Sequence, residues 1–200
     1  MANVSDSGFW EAHYLSQQTG WEKGRCAPPI ARMLQEKFLP AHAHVAVLGA
    51  GRGHEALEVA ARGFESTAID FAASAVEATR AAADHHHLDV ETLKQDLFTL
   101  GTTHALAFDA ALEHTCFCAI DPARRDEYVD VVHAILKPGG VLFGLFYAHG
   151  RPGGPPFTTD EGEVRRRFER RFVVERLVRA PDSFPDRAHH ELEALFRRKA

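Results

Sequence analysis

Val45-Ala46-Val47-Leu48-Gly49-Ala50-Gly51-Arg52-Gly53-His54 is the stretch on which the fold turns. Four apolar residues in a row suit a strand buried on both faces, and alternate glycines then bend the chain sharply. Glycine there permits positive φ and leaves the backbone bare, while the helix that follows begins with free N–H groups. Glu55 to Arg62 reads as that helix, with Gly63 placed to cap its end. Glu65 to Ile69 is a second strand, and it stops at Asp70.

Outward from this stretch the alternation repeats. Ala72 to Asp84, Ala-rich with Ser74 near its start, reads as a helix, Val90 to Lys94 as a third strand and Ala107 to Leu112 as a fourth. Arg124 to Leu136 reads as a helix ended by Lys137-Pro138-Gly139-Gly140, and Val141 to Tyr147 as a fifth, strongly apolar strand. Such strand–helix–strand units predict a parallel sheet with helices on both faces, and right-handed crossovers make it doubly wound. A helix near Asp160 to Arg170 and a strand at Phe172 to Val178 follow. His190 to Arg198 reads as a seventh strand returning antiparallel at the sheet edge, although periodicity alone also admits a helix. The expectation is an α/β fold with a mostly parallel, seven-stranded sheet. The first 40 residues precede it, are rich in aromatics (Phe9, Trp10, Tyr14, Trp21) and have no obvious place in its core.

At 200 residues the chain suits one domain with a sizeable core. Its 45% hydrophobic and 26% charged residues argue against disorder, collagen and coiled coil. No apolar run approaches the roughly 18 residues of a membrane span, and Met1 to Asp6 lacks the pattern of a secretion signal. Three cysteines do not frame a disulfide scaffold. A cytoplasmic monomer with no membrane partner is expected. The net charge of −5 argues against a nucleic-acid partner, which normally meets a basic patch. That charge is uneven: residues 1–150 carry 11 Lys+Arg against 19 Asp+Glu, and residues 151–200 carry 12 against 9. Much of the basic end is Arg165, Arg166, Arg167, Arg170 and Arg171, interleaved with Val164, Phe168 and Phe172, which reads as a solvated helix face with an apolar stripe.

The glycine turn alone is a weak signal, but Asp70 follows it by about twenty residues, where a carboxylate accepts both hydroxyls of a ribose. A dinucleotide fingerprint wants its third glycine at position 54, which is His. Gly49, Gly51 and Gly53 instead make the Gly-x-Gly-x-Gly form typical of S-adenosylmethionine sites. Gln95-Asp96-Leu97-Phe98 after the third strand offers a carboxylate for an adenine amino group and apolar side chains for its ring, although Asp96 also reads as a plain helix cap. A nicotinamide- or flavin-dependent oxidoreductase stays as the alternative, as does a non-catalytic module that keeps the cofactor site.

The whole chain resembles the thiopurine S-methyltransferase-like family of class I S-adenosylmethionine-dependent methyltransferases, especially its thiol and halide branch. The resemblance rests on Phe9-Trp10-Glu11 through Gly20-Trp21-Glu22-Lys23-Gly24-Arg25, on Phe117-Cys118-Ala119-Ile120-Asp121-Pro122 with Arg125, on Leu136 to Gly140, and on Phe146-Tyr147 leading to Gly153-Gly154-Pro155-Pro156-Phe157. It implies one Rossmann-like domain over 1–200, in which residues 1–40 form a helical lid and 41–200 the core. It implies cofactor contacts from Trp10, Trp21, Gly49, Gly51, Asp70, Asp96, Leu97, Glu113 and His114, and an acceptor pocket from Tyr14, Tyr147 and Phe157. The implied acceptor is a small soft nucleophile: a thiol, sulfide, thiocyanate, halide or selenium species. Halide-type relatives tend to carry Tyr where His114 stands and thiopurine-type relatives Arg, so neither branch passes on its acceptor.

His114 is a candidate base, since imidazole titrates near neutral pH, but it serves equally as a hydrogen-bonding group. A thiol near pKa 8.5 needs no dedicated base. No metal site is expected. His85-His86-His87 falls at a helix end and does not share one face, and Cys116 and Cys118 read as small buried apolar residues without further ligands at zinc spacing.

Overall fold

The apolar runs become one seven-stranded sheet in the computed structural model, which describes residues 3–200. Its strands are β1 (His44–Leu48), β2 (Glu65–Asp70), β3 (Val90–Lys94), β4 (Phe108–His114), β5 (Leu136–Tyr147), β6 (Phe172–Arg179) and β7 (Glu191–Arg198). They lie in the order β3-β2-β1-β4-β5-β7-β6, with β7 alone antiparallel to its neighbours. The helices are α1 (Ser7–Leu15), α2 (Pro28–Met33), α3 (His54–Ala61), α4 (Ala73–His86), α5 (Leu100–Thr103), α6 (Arg125–Ile135) and α7 (Glu161–Phe168). None is long and apolar enough to cross a membrane.

Two expectations about the ends of the chain are corrected. β7 is not an edge strand: it sits between β5 and β6, and its first six residues are buried. Burial on both faces is what an interior strand requires. Its inward carboxylates Glu191 and Glu193 are matched by Arg187, Arg32 and Arg176. β6 takes the edge and leaves Val173 and Val178 about half exposed. The N-terminal segment is not wholly outside the core either. Ala27, Ile30 and Met33 are fully buried, and the Phe38 ring lies edge-on to Phe143 at 5.1 Å. Residues spaced three and four apart, Ile30, Met33 and Leu34, give α2 one apolar face, and that face packs on the sheet. Only the chain before Ala27 is left to cover anything else.

The other face of the sheet carries α5, α6 and α7. Phe168 is the hub there, fully buried among Phe117, Phe146, Phe172, Phe196 and Tyr128 with ring centroids 5.0–6.4 Å apart. The arginines of α7 and of the turn after it face outward as expected: Arg165 meets Glu161, Arg167 meets Glu163 and Asp126, and Arg170, beyond the helix, also meets Asp126. Gly144 lets β5 close on β4. At its φ of +141°, a Cβ would stand 1.9 Å from the carbonyl oxygen of Glu113, so no other residue fits. β4 thereby keeps its register to His114, two residues past the expected end.

Removing the hub should cost most of the margin of a domain this size. Phe168→Ala should lower the unfolding free energy by about 3–5 kcal/mol through lost burial and the cavity left behind. Urea unfolding followed by circular dichroism measures it. A loss below about 1 kcal/mol would show that α7 is not part of the core.

Candidate active site

In an open sheet of this order, the strand order reverses between the parallel neighbours β1 and β4, and a crevice opens above their carboxyl ends. The glycine turn lies in that crevice. Gly49 has φ +58°, and a Cβ there would approach Cys116 Sγ to 2.9 Å, so the loop is pressed against the segment after β4. Asp70, at the end of β2, accepts from the Gly51 N–H at 3.0 Å with one oxygen and from the Ala72 N–H at 2.9 Å with the other. Each carboxylate oxygen keeps a second lone pair for a ligand. Burial raises the Asp70 pKa, against the pull of those N–H groups.

The chain before Ala27 roofs the crevice over a cavity of about 460 Å³. Trp10 and Trp21 meet edge-to-face at 5.5 Å, and Tyr14 meets Trp21 at 5.8 Å. The roof is fastened at several points. Glu11 accepts from the Ser74 N–H at 3.0 Å and Glu22 pairs with His54 at 3.0 Å, while within the roof the Trp10 indole donates to the Val4 carbonyl at 2.9 Å. Arg187 donates to the Trp21 carbonyl at 2.8 Å.

Of the residues expected at the site, Trp10, Tyr14, Trp21, Gly49, Gly51, Asp70, Asp96, Leu97, His114 and Tyr147 line this cavity. Asp96 caps its turn and also borders the cavity. One oxygen accepts from the Phe98 N–H at 3.0 Å and caps the short 3₁₀ turn Leu97–Thr99, while the residue still borders the cavity.

Glu113 and Phe157 are corrections. Successive residues of a strand face opposite sides. With His114 on the cavity side, Glu113 points into the aromatic core, where it is fully buried and takes hydrogen bonds from Tyr128 Oη and the Phe117 N–H. Burial pushes its pKa up to about 7 in spite of those donors. Phe157 turns its ring onto Gly154, and its N–H donates to the Cys118 carbonyl at 2.7 Å; Pro155 and Pro156 form the cavity wall instead.

The cluster around His114 was not anticipated. Nδ1 lies 2.9 Å from Glu55 Oε1 on α3, and Nε2 lies 2.9 Å from Arg187 Nη1 and 3.6 Å from Glu191 Oε1. A guanidinium only donates, so its contact with Nε2 is a hydrogen bond while the ring is neutral and its proton sits on Nδ1. Burial opposes charge on the ring, but Glu55 and Glu191 outweigh it and push the pKa up to about 9. Two carboxylates against one guanidinium favour the imidazolium, with its Nε2 proton turned to Glu191. In neither state does His114 keep a free lone pair, so it is not placed to take a proton from an acceptor. The thiols are not bases either: burial pushes Cys118 up to about 12 and raises Cys116 further from its ordinary range. Among the described residues no three His, Cys, Asp or Glu side chains could hold a metal ion.

Glu113 makes stability depend on pH. Its folded pKa lies above the ordinary 4.5, so the protonated form is the stabilised one. Its contribution is complete below pH 4.5 and fades as pH rises through about 7. Glu113→Gln, which still accepts from the Phe117 N–H, turns its amide N–H to Tyr128 Oη and cannot ionise, should gain stability relative to the parent between pH 5 and 8. Parallel urea midpoints for the two proteins across that range would sink the assignment.

The sequence matches the family model "Thiopurine S-methyltransferase (TPMT)" over residues 5–199. It is 29% identical over 171 residues to probable thiol methyltransferase 2 of Arabidopsis thaliana, covering 83% of this chain and 74% of that one. It is 27% identical over 187 residues to a thiopurine S-methyltransferase of Xanthomonas campestris, covering 86% of each. Its fold is similar to that of Burkholderia thailandensis 1,6-didemethyltoxoflavin-N1-methyltransferase with bound 1,6-didemethyltoxoflavin and S-adenosylhomocysteine, at a TM-score of 0.78 and 21% identity over 97% of this chain and 87% of that one. A TehB-like methyltransferase from Corynebacterium glutamicum aligns at a TM-score of 0.69 and 16% identity, covering 96% and 98%. The chain belongs to the thiopurine S-methyltransferase family and is an S-adenosylmethionine-dependent methyltransferase.

Proposed function

We propose that this enzyme methylates a small soft nucleophile that reaches it already ionised or easily ionised: a thiol, sulfide, thiocyanate, halide or selenium species. The observation that carries the reading is the engagement of His114 on both ring nitrogens beneath an aromatic roof. Without that imidazole as a base, an alcohol or amide acceptor lacks the help it would need, whereas a thiolate does not. Relatives named thiol methyltransferase and thiocyanate methyltransferase support the same class.

The cofactor fits the residues present. Asp70 holds two backbone N–H groups and keeps lone pairs for a ribose, Asp96 and Leu97 offer an edge and a face to adenine, and the glycine loop presents bare backbone. When bound, S-adenosylmethionine supplies a methyl group on a cationic sulfur. The chain then has to align three atoms and keep water out. Alignment of this kind is worth about 7–11 kcal/mol of barrier. Trp10, Trp21 and Tyr14 exclude water, which matters most for soft anions whose hydration blunts them. Rings beside a cationic sulfur also contribute about 0.5–2 kcal/mol of cation–π attraction. Tyr147, held by Arg151 at its hydroxyl and by the Arg187 guanidinium 5.4 Å over its ring, forms the wall on the acceptor side.

Headspace analysis of methylated products across thiols, sulfide, thiocyanate, iodide and a set of amines tests the acceptor class. Turnover confined to amines, or cofactor binding with no turnover at all, overturns it. Asp70→Ala should weaken S-adenosylhomocysteine by about 1–3 kcal/mol, because ribose hydroxyls and two N–H groups lose their partner. Calorimetry reads it, and unchanged affinity means the ribose lies elsewhere. Replacing Trp10 and Trp21 together by Ala should lower kcat by about 100-fold through lost alignment. Full turnover in that variant would show that the roof does not serve the reaction.

A further inference from the structure

Of the basic side chains that border the cavity, Lys23 pairs with Asp186, Arg124 with Glu127 and Arg187 with Glu191. Arg25, Arg52 and Arg151 border it too and form no ion pair among the described residues. Their settings differ. Arg25 lies over the Phe184 ring at 5.6 Å, and Arg52 stands on the glycine loop, which belongs to the cofactor. Arg151 shares the acceptor wall with Tyr147, Pro155 and Pro156.

Arg151 is held there by neutral partners. Its Nη2 donates to Tyr147 Oη at 3.2 Å, and its Nε and its backbone N–H both donate to His149 Nδ1, at 3.3 and 3.2 Å. Burial, with the Arg151 charge behind it, holds the His149 pKa below its ordinary value, so the ring is neutral and Nδ1 accepts. The His149 and Tyr147 rings lie 4.7 Å apart, and the next residue, Gly150 at φ +73°, is pinned by its N–H to Thr158 Oγ1 at 2.7 Å. The guanidinium is thus positioned by the loop while it keeps its full charge and unused N–H groups. Tyr147 Oη accepts from Arg151 and has its own proton left to donate. Arg151 is exposed, so this pair of donors stands at the mouth of the cavity.

We infer that Arg151 and Tyr147 form a carboxylate-binding subsite at the mouth of the acceptor pocket, and that the acceptor is a thiol whose other end carries that carboxylate. The inference rests on the proposed reading of the enzyme as a methyltransferase of soft nucleophiles and narrows its acceptor class. A guanidinium fork and a hydroxyl side by side suit the two oxygens of a carboxylate. A halide or sulfide is a single reacting atom with nothing to reach the mouth, so neither uses these donors. A thiol acid uses both ends of the pocket. Its sulfur meets the methyl group beneath the aromatic roof, where softness counts, and its carboxylate stays at the mouth, where it keeps part of its water. Arg187 does not serve in place of Arg151, as Glu191 already pairs with it.

Initial rates with matched acceptors test it: 3-mercaptopropionate against 3-mercaptopropionamide, and 2-mercaptobenzoate against 2-mercaptobenzamide. The readout is the ratio of kcat/KM for acid over amide, in the parent and in Arg151→Gln. Comparing the two ratios cancels the different thiol ionisation of acid and amide, and any general loss of turnover. Calorimetry with S-adenosylhomocysteine checks that the variant keeps its fold and its cofactor site. For at least one pair the ratio should fall about 10-fold in Arg151→Gln, the size of a charge-assisted contact partly screened by water. A fall of less than about fivefold in both pairs overturns the subsite and leaves methylation of thiols standing. A parent protein that turns over none of these thiols overturns the proposed function and the subsite together.

Discussion

The buried cluster of His114, Glu55, Glu191 and Arg187 is the constraint on which the rest of the site depends. It joins the end of β4, the first turn of α3, the start of β7 and the loop before it. The same groups reach the roof: Glu55 accepts from the Ala27 N–H at 3.2 Å, and Arg187 donates to the Trp21 carbonyl. Charges this far from water are expensive singly and tolerable only as a complete set, so losing one member leaves another uncompensated at a cost of about 3–5 kcal/mol. The roof is therefore not a loose flap laid over a finished domain. Its far end is bonded to the same ions that fix the sheet.

One strand divides core from chemistry. β4 presents Ala111 and Glu113 to one face and Ala110, Leu112 and His114 to the other. On the first face Glu113 completes a polar knot with Tyr128 inside the aromatic cluster headed by Phe168. On the second His114 completes the ionic cluster under the cavity. Two adjacent titratable residues thus do different work only because the strand runs on to 114, and it does so because Gly144 lets β5 lie flush against it.

What could be read from the sequence follows the range of the interactions. The glycine turn, Asp70 and Asp96 were legible because each acts on backbone within a few residues or at the end of its own strand. The apolar runs were legible because burial on both faces leaves no alternation to confuse. β7 and α2 were misplaced for the opposite reason, since their partners are distant: Glu191 and Glu193 look like edge residues until Arg187, Arg32 and Arg176 arrive to neutralise them. Glu113 was set beside His114 on the cavity side, and extending the strand by two residues with strict alternation would have separated them. Glu55 carries no signal of its own, since an acid in the first turn of a helix suits the dipole there. Arg187 lies in a loop of Pro181 to Ala188 that carries no periodic signal, and only the folded chain brings it to Trp21 and His114.

The basic C-terminal quarter gains a second meaning from this. Its helical arginines are solvated and paired, as their spacing suggested, yet Arg151 and Arg187 come from the same quarter and border the cavity. Arg187 arrives already matched by Glu191, and the imidazolium beside it by Glu55 and Glu191, so that charge is spent within the protein, while Arg151 on the Tyr147 hydroxyl has no carboxylate partner. A strongly hydrated anion entering such a cavity gives up its water and meets few unmatched charges in return. A weakly hydrated, polarisable anion gives up less and gains the faces of Trp10, Trp21 and Tyr147. On the proposed reading, selection between acceptors beneath an aromatic roof of this kind follows hydration and softness more than charge.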